Sequence, residues 1–156
     1  MLALSVKQPW ADVIARGLKK IEVRWWRALP GVRQDSPIYI HTGQREDVDG
    51  DIWLRESLGL EIKMNLPLGG LIAKGILRGI EVIQSADDFN AQARDHLNPL
   101  ITSVEFQSMR ARKAQCMFLH LDQMEPLPEP ILWRGQLGFF EVELKKEGGL
   151  KSAAQS

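Results

Sequence analysis

The sequence predicts an α+β fold, a small and mostly antiparallel β-barrel with flanking helices. Three observations predict it. Strand-like segments outnumber helical ones, they lack the regular alternation with helices of a doubly wound sheet, and one long segment, GGLIAKGILRGIEVIQ, is interrupted by Gly75 and Gly79. A strand broken by glycines in this way is bent or bulged, which is what a small barrel needs to close. With 156 residues and 44% hydrophobic content, the chain has the size of one domain able to bury roughly two thirds of its unfolded surface. We assign residues 1–145 to that domain and 146–156, rich in Gly, Ser and Ala, to a flexible tail.

In chain order, LALSV reads as a short strand. QPWADVIARG follows as a helix, with Gln8 near the cap, Pro9 in the first turn and Gly17 as the stop. Trp10, Val13, Ile14 and Leu18 recur at helical spacing and predict a core face. KIEVRWW alternates, so Ile21, Val23 and Trp25 should pack while Glu22, Arg24 and Trp26 face the other way, outward. RALPGVRQDS has loop composition, and PIYIHTG reads as a third strand. EDVDGDIWLRESLG predicts a helix anchored by Ile52, Trp53 and Leu58. SADDFNAQARDHL predicts another, since Ser85 and Asp88 have the spacing of a capping box. QCMFLHLDQM is a buried strand, EPLPEPI a proline-rich connector and GFFEVELKK the closing strand.

Composition narrows the function. Twenty basic and twenty acidic side chains cancel, so any binding of an anion must come from a local patch rather than the field of the whole molecule. No apolar run approaches the length of a membrane span, and no secretory leader pattern opens the sequence; a cytoplasmic protein without membrane attachment is expected. The single cysteine, Cys116, lies in the apolar run CMFLHL and is expected to be a buried structural thiol. His41, His96 and His120 are scattered with no ligand spacing, and DVDGD misses the register of a calcium loop, so neither metal nor cofactor is expected. P-loop, dinucleotide, zincin and nucleophile-elbow motifs are missing from the sequence. His41, at a strand end, can face a cleft or serve as a hydrogen-bonded structural group.

A local patch does exist. Residues 1–34 carry Lys7, Arg16, Lys19, Lys20, Arg24, Arg27 and Arg33 against only Asp12 and Glu22, interleaved with Trp10, Trp25 and Trp26. Cations beside aromatic faces hold phosphates and stack bases. Lys7 ends the first strand, Lys19 follows the helix stop, and Glu22 and Arg24 share a face of the next strand. If the two strands are neighbours, these groups converge beside the helix N-terminus, an end that favours anions. The same residues can equally form a surface ion pair worth about 0 to 1 kcal/mol, and spacing alone does not separate the two readings.

LSVKQPWADVIARGLKKIEVRWW closely resembles the opening motif of the ASCH (activating signal cointegrator homology) domain family, in which an LSxxQPWA segment, a short helix, a Gly-x-Lys turn and an E-x-R strand follow in that order. ILWRGQLGFFEVE resembles the family's closing turn and last strand. The resemblance implies a PUA-like β-barrel with a cleft beside the first helix, suited to RNA, DNA or a nucleotide-like small molecule. Carried over position by position, the ligand-binding residues are Lys7, Gln8, Pro9, Trp10, Lys19, Glu22, Arg24, Arg134 and Gly135, to which the alternation of the second strand adds Trp26. Some members resembling this chain are hydrolases of acetylated cytidine or of RNA. In the former, the turn lysine acts with a threonine three residues on; Lys19 matches the lysine, but Glu22 occupies the threonine position. A carboxylate lacks the O–H of that threonine, so the family's amidohydrolase chemistry does not transfer directly.

Three readings follow. The first is a nucleic-acid-binding or nucleotide-binding module, RNA foremost, in which Lys7 and Arg24 hold phosphate, Gln8 and Glu22 read a base edge and Trp26 or Trp10 stacks. The second is a hydrolase of modified nucleosides or RNA, with Lys19 and Glu22 as a catalytic acid-base pair. The third is a protein-partner domain using an apolar rim near Trp53 and the proline-rich connector.

Overall fold

The computed structural model describes residues 1–112 and 114–144; the expected tail, 146–156, lies outside the described residues. Six strands form one curled sheet in the order β2-β5-β4-β3-β1-β6: β1 (Leu2–Ser5), β2 (Ile21–Trp26), β3 (Ser36–Thr42), β4 (Gly70–Ile83), β5 (Gln115–Leu132) and β6 (Phe139–Glu141). Among the described residues only β1 and β3 run parallel; the other strand pairs are antiparallel. The expected barrel is thus an open half-barrel, with β2 and β6 as its edges.

The bending predicted for residues 69–84 is present. β4 changes register against β5 at three places, including Lys74/Ile76 and Leu77/Gly79, the points where Gly75 and Gly79 stand. A Cβ at Gly75 would meet the Asp122 carbonyl at 2.9 Å, so the close approach of the two strands at that bulge requires glycine.

The segment read as a proline-rich connector is instead the second half of β5, still paired to β4 through Ala73↔Pro126 and Leu71↔Ile131. β2 pairs only with residues Gln115 to His120, so beyond that point one side of β5 is an edge. Pro126, Pro128 and Pro130 are two apart and remove N–H groups from a single side, which an edge tolerates.

Helix α1 (Trp10–Ala15) buries Val13 and Ile14. Leu18, expected on that face, is 40% exposed, because Gly17 at φ +75° turns the chain and both Leu18 N and Lys19 N bond to Val13 O. α2 (Val48–Ile52) runs into a π-helical turn at Trp53–Ser57. The expected anchors Ile52, just before that turn, and Leu58, just after it, are exposed, and Leu54 within it is the buried residue. Trp53 is half-buried and donates from Nε1 to Leu97 O at 2.7 Å, so it forms no free apolar rim. α3 (Ala86–Ala91), capped by Ser85, α4 (Ala93–His96) and α5 (Ser103–Ala111) cover the outer side of the sheet.

The alternation in β2 is observed, but both faces are covered. Ile21, Val23 and Trp25 pack with Phe89, Phe106 and Phe118 under the helices, while Trp26 packs into the inner core with Leu4 and Phe139. The face carrying Glu22 and Arg24 therefore looks into the half-barrel, not outward. Cys116 is buried, and burial pushes its thiol up to about 12, so it is protonated and inert at neutral pH. Among the described residues no helix is long and apolar enough to cross a membrane.

Candidate functional site

The inner end of the site is built around Lys19. The Gly17 turn carries its side chain inward, leaving the residue 1% exposed. Its ammonium donates to His96 O and, at 2.9 Å, to Asn98 Oδ1. It lies 3.7 Å from Glu22 Oε1 and 4.8 Å from the centroid of the Trp10 ring. Burial drives the amine down to about 8, with the Glu22 carboxylate working in the opposite direction. The acceptors are held by His96, whose Nε2–H donates to Phe89 O at 2.8 Å and whose Nδ1 accepts from Asn98 N at 2.9 Å. Leu97, at φ +60°, turns the chain so that both neighbours face the amine.

Glu22 is 8% exposed and sits between two cations. Its Oε2 accepts from Arg24 Nε at 2.9 Å. The guanidinium reaches across the open side of the sheet and donates from Nη2 to Ser5 O at 2.6 Å. β1 and β2 are thus not paired strands; curling of the sheet brings their residues together, and an arginine spans the seam.

Ser5 also ties down the segment between β5 and β6. Its N–H donates to Gly138 O at 3.1 Å and its hydroxyl to Gln136 O at 2.6 Å. His41 Nδ1 lies 3.1 Å from the Ser5 hydroxyl oxygen, and its Nε2–H donates to Trp133 O at 2.8 Å. Burial lowers the His41 pKa, opposed by that backbone hydrogen bond. Gly135 lies flat on this imidazole, where a Cβ would stand 2.8 Å from Nε2 and closer still to Cε1 and Nδ1. Gly135→Ala is therefore expected to lift the segment or turn His41. The cost is about 1 to 3 kcal/mol, a melting temperature lower by about 3 to 10 °C. Gly31→Ala, where a Cβ meets nothing within 4 Å, is the comparison in a thermal melt.

Between these walls lies a cleft of about 750 Å³, within the usual range for small-ligand sites. Glu22, Arg24, Asn98 and His41 line its inner part, and Lys7, Arg45 and Arg134 its mouth. Those three mouth residues are exposed, and none has an ion-pair or hydrogen-bond partner for its side chain among the described residues. Trp10 forms one side, fixed by Nε1–H donation to Asp47 Oδ2 at 2.8 Å. Among the described residues, no three His, Cys, Asp or Glu side chains gather as a metal site.

A family model for the ASCH domain matches residues 4–116, nearly three quarters of the chain. The chain belongs to the ASCH domain family. Solved structures of the ASCH protein from Zymomonas mobilis are similar in fold. The unmodified protein is 13% identical with a TM-score of 0.59, covering 99% of this chain and 90% of that one. A serine-to-alanine variant gives 14%, 0.59, 99% and 94%, and a tyrosine-to-phenylalanine variant 13%, 0.59, 91% and 89%. At these identities the likeness concerns the curled sheet and flanking helices of the ASCH and PUA-like fold.

The ASCH motif residues fall into distinct places. Lys7, Trp10, Glu22, Arg24, Arg134 and Gly135 line the cleft. Lys19 stands behind Glu22 and does not line it. Gln8 is buried, with both ends of its amide occupied: Oε1 accepts from Asp12 N at 2.9 Å and Nε2 donates to Pro67 O at 3.1 Å. It shapes the start of α1 and, at 1% exposure and outside the cleft lining, presents no group to a base. Pro9 is the N-cap of α1, outside the lining. Trp26 also lies outside it, edge-on to Phe139 at 5.7 Å and beneath Arg24.

The anion site expected at the start of α1 is reduced, because the Ala11 and Asp12 N–H groups already bond to Lys7 O and Gln8 Oε1. Sequence reasoning missed Ser5, Arg45, Asp47, Asn98 and Trp133. Their only local signal was the strand end for Ser5 and the helix-cap pattern for Asp47, whose side chain accepts from Gly50 N.

Proposed function

We propose that the cleft binds a nucleic-acid strand, RNA foremost, or a nucleotide excised from one. Phosphates sit at Lys7, Arg45 and Arg134, and a base turns inward against Trp10 toward Glu22, Arg24 and Asn98. The observation that carries this reading is the arrangement of the mouth: three exposed cations lacking carboxylate partners among the described residues, around a cleft whose inner end offers the buried Glu22 carboxylate and the half-buried Arg24 and Asn98 side chains. Family membership supports it, since ASCH domains are a PUA-like family generally associated with nucleic-acid binding. Arg24, held by Glu22 and Ser5 O, has a fixed guanidinium whose remaining N–H groups suit a base edge or a phosphate.

The test is binding of short single-stranded RNA and DNA as a function of salt. Each phosphate contact contributes about 0.7 to the slope of log K against log salt for a single strand. Neutralising Lys7, Arg45 and Arg134 together is expected to weaken binding at least about tenfold at low salt and flatten the slope by about 2. Arg16→Ala, which removes a surface pair with Asp12, is expected to change neither. Equal affinities for the triple variant and Arg16→Ala would sink the assignment.

One observation favours a hydrolase: a lysine amine lowered to about 8 beside a carboxylate. It is weakened by the position of Lys19 behind Glu22, since a general acid or base must reach the proton it transfers. On this reading Glu22 alone contacts substrate and Lys19 tunes it. Lys19→Ala and Glu22→Gln then abolish turnover of acylated nucleosides or RNA, and failure of the parent protein to turn over any of these excludes it.

A further inference from the structure

Leu137 is 98% exposed, yet it lines the cleft and stands on backbone that is firmly held. The carbonyls on either side of it, Gln136 O and Gly138 O, both accept hydrogen bonds from Ser5, at 2.6 Å from the hydroxyl and 3.1 Å from the N–H. Gly138 at φ +71° reverses the chain immediately after it. Trp133 and Gly135, at the root of the same segment, are fixed on His41. An apolar side chain presented to water on a mobile loop needs no explanation; one presented on a rigid tip, lining the same cleft as Arg134, is preorganised for an apolar contact beside a phosphate-binding rim.

We propose that Leu137 is a wedge: it enters the base stack of a bound strand and fills the gap left by the base that turns into the cleft. The inference rests on the reading of the cleft given above and adds the partner's form, a stacked strand rather than a free nucleotide. A base leaving its stack exposes the faces of its neighbours, and an inserted aliphatic side chain covers them while the rim cations hold the flanking phosphates. The geometry suits that task because Leu137 and Arg134 share one anchored segment, so phosphate contact and insertion occur together. Leu137 makes no packing contribution that a substitution would remove, and variants there keep the fold.

The experiment uses an adenine-rich single-stranded oligonucleotide containing one 2-aminopurine, in RNA and DNA forms, with fluorescence read at saturating protein so that affinity does not enter. Wild-type protein is expected to raise the emission several-fold as the analogue unstacks, and Leu137→Ala to give less than about a third of that rise. Leu137→Phe restores it, and Val104→Ala, another exposed apolar residue outside the cleft, leaves it unchanged. An equal rise with Leu137→Ala, or wild-type binding without any rise, overturns the wedge and leaves the cleft reading standing. If wild-type protein binds neither oligonucleotide, the wedge falls together with the strand-binding form of the cleft reading, and only the free-nucleotide form stands.

Discussion

Replacing Glu22 by glutamine is expected to destabilise the fold by about 3 kcal/mol. The carboxylate is nearly buried and serves two cations, Arg24 at 2.9 Å and Lys19 at 3.7 Å. Glutamine keeps its size and one acceptor oxygen, but removes the charge that offsets the desolvation of both partners. Lys19 can escape part of the cost by releasing its proton, since burial already weakens its hold and loss of Glu22 weakens it further. Arg24 cannot, because a guanidinium stays protonated. The cost therefore falls at the lower end of the range for breaking a buried pair. Urea unfolding measures it, and Arg24→Gln added to Glu22→Gln should recover part of the loss by removing the stranded charge. A Glu22→Gln change under about 0.5 kcal/mol, the usual size for a surface substitution, would show that the carboxylate is far better solvated than its burial implies.

The second large effect is a pH dependence with an unusual sign. The Lys19 amine is held at about 8, against an ordinary 10.5, chiefly by burial. The folded protein thus binds this proton more weakly than the unfolded chain does. Between about 8 and 10.5 the unfolded chain carries more protons, so the free energy of unfolding rises with pH across that window. Below it the cost of the buried charge is present in full, and above it the cost is gone. The two values differ by the equivalent of about 3 kcal/mol. Unfolding free energies of wild type and Lys19→Met, measured across the window, should diverge by that order in favour of wild type as pH increases. Parallel curves would mean that the amine titrates at its ordinary value and that its enclosure by His96, Asn98 and Glu22 is looser than described.

Much of this was legible in the sequence, for identifiable reasons. Alternation in IEVRWW separated two faces of β2, and glycine placement in residues 69–84 located the bends of β4, because both depend on near neighbours. Periodicity does not say which face looks inward. Here the charged face does, since the helices cover the apolar one. The proline-rich segment was misread because prolines exclude a central strand but not an edge, and whether a strand is an edge depends on where β2 stops. Asn98 is 79 residues from the lysine it meets, and no spacing rule connects them. Arg45 is visible only as a charge, and its importance lies in a mouth that needs the curl of the whole sheet. Gln8 shows the converse: a motif residue can belong to the site's framework without touching what the site holds.

Ser5 has a consequence for when the cleft exists at all. Its N–H, carbonyl and hydroxyl reach Gly138, Arg24 and Gln136, joining a segment near the start of the domain to one more than a hundred residues later. The inner core around Ile14, Ile40 and Leu119 closes without residues 133–138; the cleft does not. During synthesis the sheet can be largely assembled while the pocket still lacks a wall, and local fraying of β6 can later open it again without melting the core. Completion of the cleft is thus a late step of folding, separate from closure of the core.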